Sequence, residues 1–108
     1  MRVLFDTNVI LDLLLEREPF ADAAAALLAR AELGAVTGFV GATTVTTIHY
    51  LATKVIGREA ARDAISSLMS ILHVAAVSGP VLDAVLQSPL EDFEDAVRLE
   101  AGRVAGAD

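Results

Sequence analysis

A chain of 108 residues, 55% of them hydrophobic and with a mean hydropathy of +0.57, has material for one core and one domain. Eight basic against fifteen acidic residues leave a formal charge of −7, which excludes broad, sequence-blind gripping of nucleic acid by the surface as a whole. There is no cysteine, hence no disulfide framework and no thiolate metal site, and any metal here would be a hard one held by carboxylates or the two histidines.

Residues 3–6 read as a first strand, a continuous apolar run suited to a sheet covered on both faces. Asp6 closes that run and stands before Thr7, Asn8 and an apolar helix. Open parallel sheets bind ligands beyond the carboxyl ends of their strands, so Asp6 is a functional candidate; Asp6 or Asn8 can equally serve as the cap of the helix that follows. That helix puts Val9, Ile10, Leu13 and Leu14 on one face and Asp12 and Glu16 on the other. Pro19 stands where a second helix begins, and residues 21–33 are rich in strong helix formers until Gly34 supplies a stop.

Residues 35–40 are β-branched and apolar enough for a second strand. Thr43 or Thr44 can cap a third helix running through Thr47, Tyr50, Leu51 and Val55 to about Gly57. A fourth helix over residues 58–72 has Ala61, Ile65, Leu68 and Leu72 as its apolar stripe, while Lys54, Arg58 and Arg62 read as a solvated face. Residues 73–77 form a third short apolar strand, and Ser78-Gly79-Pro80 opens a brief helix by a cap followed by proline. Strands alternating with helices imply parallel pairing through right-handed crossovers, hence an α/β, three-layer α-β-α domain with a short parallel sheet over residues 1–108. The longest apolar stretches, such as residues 23–29, fall far short of the roughly 18 to 20 residues of a membrane span, and Met1-Arg2 leads directly into a strand, so a cytoplasmic protein is expected. Its apolar content leaves surface to cover, which points to a homodimer.

The segment Ser88-Pro89-Leu90-Glu91-Asp92-Phe93-Glu94-Asp95-Ala96 puts four carboxylates into five positions. Ser88 and Glu91 have the spacing of a capping box, with Pro89 at the first helical position, so Glu91 reads as structural. Asp95 would then lie nearly two turns into the helix, where the dipole has faded and Asp is a mediocre helix former, and it needs another reason to be there. Asp92 and Asp95 share one face, with Phe93 and Ala96 directed into packing. Two such carboxylates repel one another unless something positive lies between them. Oxygen ligands of this kind suit magnesium or manganese, and if Asp6 faces this helix three carboxylates converge on a site able to activate water at a phosphodiester.

Leu4-Phe5-Asp6-Thr7-Asn8-Val9, Ala42-Thr43-Thr44-Val45-Thr46-Thr47-Ile48 and Asp92-Phe93-Glu94-Asp95-Ala96, in this order and spacing, resemble the motifs of PIN-domain proteins, which include the VapC-type ribonuclease toxins of bacterial toxin–antitoxin pairs. The resemblance spans the whole chain, and Ala105-Gly106-Ala107-Asp108 looks like the turn before that family's last strand. It implies a PIN-like (Rossmann-like) fold and an endoribonuclease dependent on Mg2+ or Mn2+, with RNA as substrate and an antitoxin protein as partner. Carried over, Asp6 is the first metal ligand, Asp95 the acid of the late helix and Asp92 an accessory ligand. Thr7 and Asn8 support Asp6, with Asn8 as its neighbour or a cap. Where many members carry a glutamate in the middle helix this chain has Thr47, a hydroxyl without charge. It also stops at Asp108, so the resemblance implies a C-terminally truncated domain with the last strand missing.

A second reading is a catalytically silent PIN-like domain that serves as a protein-binding or dimerisation module. A dehalogenase-like phosphatase wants an Asp where Asn8 stands, and a dinucleotide-binding fold wants a Gly-rich turn after the first strand. His49 and His73 carry no motif.

Overall fold

The computed structural model describes residues 1–89 and 92–106; Leu90, Glu91, Ala107 and Asp108 of the segments above lie outside the described residues. Among the described residues three parallel strands and six helices follow one another as β1 (Arg2–Phe5), α1 (Thr7–Leu14), α2 (Ala21–Glu32), β2 (Thr37–Gly41), α3 (Ala42–Ile56), α4 (Arg58–Ile71), β3 (His73–Ala75), α5 (Gly79–Leu86) and α6 (Phe93–Ala105). The sheet order is β1-β2-β3, with Phe5 opposite Val40 and Val40 opposite Val74. The three strands therefore end together, and the chain leaves the sheet each time along one edge.

Alternation along the strands assigns each face its own core. On one side Phe5 and Val40 join Ile10, Leu11, Ile48, Leu68 and Leu72 under α1–α4. On the other, Ala75 packs with Val81, Val85, Ala96, Val97 and Ala101 of α5 and α6. The arrangement is the expected α-β-α sandwich, and in α1 it is Leu11 rather than Leu13 that joins Ile10 in full burial. Glu16 falls beyond α1, and Asp12 turns to Arg17 at 2.9 Å.

Gly38 allows the larger core to close. A Cβ there would overlap Leu72 Cδ2 and come within 3.0 Å of Phe5 Cε1 and 3.3 Å of Ala31 Cβ, so β2, β1, α2 and the end of α4 meet at this hydrogen-sized gap. At the α3–α4 corner Gly57 has φ +90°, a backbone state that disfavours side chains, and it ends one helix and begins the next.

Two helix starts differ from the sequence expectation. Helix α3 begins directly off β2 with Gly41 at the cap position, so Thr43 and Thr44 lie inside the first turn rather than capping it. Helix α6 begins at Phe93, not at Ser88–Pro89, and its cap is Asp92, whose Oδ1 accepts from the Asp95 backbone N–H at 2.9 Å. Asp95 is therefore in the first turn, where the positive end of the helix favours it, and not two turns in. Phe93, expected in packing, is 50% exposed, whereas Ala96 is buried. Ser78 caps α5 as its sequence suggests, accepting from the Val81 N–H at 3.4 Å with proline following. No helix among the described residues is long and apolar enough to cross a membrane.

Two stability outcomes follow from this packing. Gly38→Ala should lower the unfolding free energy by about 1–3 kcal/mol in urea titrations, because three neighbours from different elements have to shift. Asp92→Ala should cost about 1 kcal/mol through loss of the α6 cap, whereas Asp92→Asn, which keeps the cap acceptor, should cost much less in the same assay.

Candidate active site

The strand ends deliver the functional side chains. Asp6 follows the last residue of β1 and occupies the cap position of α1, yet its side chain makes no capping hydrogen bond. Among the described residues its exposed carboxylate has no hydrogen-bonding or ionic partner, so of its two sequence readings the structural one does not explain it. Thr7 opens α1 beside it. Thr43 and Thr44 come from the first turn of α3, immediately past the end of β2; Thr44 is only 3% exposed. Asp92, Glu94, Asp95 and Arg98 come from the start of α6, which crosses the same edge.

These eight residues line one cleft of about 150 Å³. The three acids singled out from the sequence, Asp6, Asp92 and Asp95, are thus brought to one place, with Thr7. Two expected supporters are not. Asn8 faces a neighbouring groove with Asp12, Arg17, Glu18 and Phe20, and its carbonyl accepts weakly from Arg17 at 3.4 Å. Thr47 donates its hydroxyl to the Thr43 carbonyl at 3.1 Å, one turn back along α3, and does not line the cleft.

Four lining residues escaped sequence reading. Thr43 and Thr44 read as caps in the sequence, Glu94 is one of the acidic segment's four carboxylates with no role of its own there, and Arg98 stands outside the motif. The Asp95–Arg98 spacing of three on a helix was the available signal for the last of these. In the structure Asp95 Oδ1 accepts from Arg98 Nη2 at 2.6 Å and from Nε at 3.2 Å. His49 lies apart, in a groove with Arg62 and Met69, and the His73 ring rests against Phe39 with centroids 5.4 Å apart. Lys54 sits over the Tyr50 ring at 4.2 Å, and Arg58 and Arg62 are exposed, as a solvated face would be.

The donor set consists of carboxylate and hydroxyl oxygens only, which fits a hard divalent cation. Among the described residues no three acids or histidines are gathered closely enough to grip a metal ion by themselves. Magnesium does not require that: it keeps several waters and takes one or two carboxylates plus substrate phosphate. Asp6 offers both oxygens, while Asp92 and Asp95 each offer the oxygen that the helix N–H or Arg98 leaves unused.

Comparison with known proteins bears on the family and the fold. The PIN domain matches over residues 2–108. No curated protein sequence matches. Among solved structures the chain is similar to VapC20 of Mycobacterium tuberculosis, a toxin that cleaves the sarcin–ricin loop, with a TM-score of 0.75 at 15% identity over 97% of this chain and 84% of that one. At that identity the likeness concerns the fold. With the domain match running from the second residue to the last, the chain belongs to the PIN-domain family.

Proposed function

We propose that this protein is an endoribonuclease that hydrolyses RNA phosphodiester bonds with Mg2+ or Mn2+, acting as the toxin of a toxin–antitoxin pair. The observation that supports it best is the cleft itself, which the partnerless carboxylate of Asp6 lines together with Asp92, Asp95 and the hydroxyl residues Thr7, Thr43 and Thr44. In this reading Asp6 and Asp95 hold the cation and Asp92 assists. When bound, the cation supplies positive charge to the phosphate and to the attacking water.

The chain's own residues do the rest. Thr43 and Thr44 present hydroxyls that can donate to a phosphate oxygen or orient a water, and being at a helix N-terminus they sit among free backbone N–H groups that favour an anion. Water adds to phosphorus as the bond to the leaving ribose oxygen breaks. The four carboxylates that line the cleft among the described residues repel RNA, so the substrate enters with the cation rather than ahead of it. Partners in this reading are RNA, an antitoxin protein that masks the cleft, and a second copy of the chain, all in the cytoplasm. The neighbour of known structure, a toxin that cleaves the sarcin–ricin loop, adds weight to the reading.

One observation favours a second reading, a silent PIN-like module that binds protein or dimerises: two of the three acids are already engaged, Asp95 by Arg98 and Asp92 by its own helix. The two readings separate cleanly. On a mixed RNA panel with manganese, cleavage should vanish with EDTA and fall by more than about 100-fold in Asp6→Asn. A folded protein that cuts nothing under these conditions supports the silent module instead. Manganese should also raise the melting temperature of the wild type and leave that of Asp6→Asn unmoved, since only a bound ion stabilises the folded state. Expression of the wild type should arrest bacterial growth, and expression of Asp6→Asn should not.

A further inference from the structure

A nuclease of the kind proposed needs Asp95 for its cation, yet Asp95 is held by Arg98 through two N–H groups on one oxygen. An exposed ion pair three residues apart on a helix is commonplace and contributes little. This one is placed differently. The Arg98 side chain is only 16% exposed, against 50% for Asp95, and Arg98 is the cation among the cleft-lining residues. Its stem lies on the end of the central strand: a Cβ at Gly41 would stand 3.5 Å from Arg98 Cγ and 4.0 Å from its Cα. At van der Waals distance the stem packs on the end of β2, and the guanidinium is delivered to the cleft from an anchored stem.

Charge then limits what the guanidinium can do. Asp6, Asp92, Glu94 and Asp95 bring four negative charges, which a divalent ion and Arg98 together do not exceed. Net field cannot hold a phosphodiester there; direct contact has to. A divalent ion arriving at Asp95 also repels the guanidinium from the shared oxygen. The planar fork of donors that leaves it matches the paired oxygens of a phosphate.

Resting on the nuclease reading, we propose that Arg98 exchanges partners: it neutralises Asp95 until a divalent cation takes that carboxylate, and then binds the non-bridging oxygens of the substrate phosphate. Arg98 is thus both the competitor for the metal and the positioning group for the RNA, and its removal should move the two affinities in opposite directions.

The test measures both on the same proteins. Free Mn2+ is counted by electron paramagnetic resonance in titrations of wild type, Arg98→Gln and Arg98→Lys, and binding of a short, labelled mixed-sequence RNA is read by fluorescence anisotropy with calcium replacing manganese. Arg98→Gln should bind Mn2+ about 3-fold or more tighter, the worth of the lost ion pair, and RNA about 10-fold weaker, the worth of a charge-assisted phosphate contact. Arg98→Lys, which keeps the charge and most of the stem, should stay near wild type for Mn2+ and recover part of the RNA affinity. Unchanged or weaker Mn2+ binding in a folded Arg98→Gln overturns the exchange, as does RNA affinity that survives it; should Arg98→Gln not fold, wild-type RNA affinity in Arg98→Lys overturns it, since a point charge lacks the fork. Opposite shifts in a protein that never cuts RNA would retain the exchange while the nuclease reading falls. Cleavage with both affinities unmoved would do the reverse.

Discussion

The site depends on the parallel pairing of three short strands at a common end. Strand β2 is the hydrogen-bonded neighbour of both β1 and β3, and its register puts Phe5, Val40 and Val74 in one row. Asp6 follows Phe5 and Gly41 follows Val40, so the acid that leaves β1 and the glycine that leaves β2 emerge side by side. A slip of one residue would exchange the two faces of a strand and send Phe5 or Val40 out of the larger core. Burial of those apolar side chains is therefore what fixes the carboxylate of Asp6 at the mouth of the cleft. The narrowness of β2 matters at Gly38, which lets the core close on one face, while on the other the stem of Arg98 packs against the strand's end at Gly41.

The cleft gathers like charges, and each has a different compensation. Asp92, Glu94 and Asp95 stand at the cap and first turn of α6, where the helix dipole and free N–H groups favour anions. Asp92 spends one oxygen on the Asp95 N–H, and Asp95 spends one on Arg98. Asp6 shares the favourable end of α1 but engages no side chain or cap bond. Of these four acids it is the one whose position the fold explains least.

The sequence disclosed the architecture through periodicity: apolar runs alternating with helical stripes gave nine elements and their parallel pairing, because burial on both faces of a short sheet leaves little choice of composition. It also pointed to Asp6 and to the acids of α6. The start of α6 was misread because Ser88, Pro89 and Glu91 imitate a helix opening, while Asp92 wins the cap by accepting from Asp95. That shift of a few residues removed the argument that Asp95 had no structural reason for its place. Thr43 and Thr44 were hidden for a related reason: threonines before an apolar run look like caps, and only the direct passage of β2 into α3 at Gly41 shows them to be first-turn residues facing the cleft. Arg98 was invisible because its role comes from packing on Gly41, a contact between residues 57 positions apart.

The uncharged contribution of α3 fits this balance. Thr47 turns its hydroxyl to the Thr43 carbonyl. The helix instead meets the cleft with Thr43 and the nearly buried Thr44, which add hydrogen-bonding capacity and no charge. A carboxylate from α3 would add to the four acids and the one guanidinium that line the cleft among the described residues, without standing at the α6 N-terminus that favours the acids there. Concentrating the acids on α6, next to their own dipole and to Arg98, lets the cleft hold its charge in the folded chain while Asp6 remains open for a ligand.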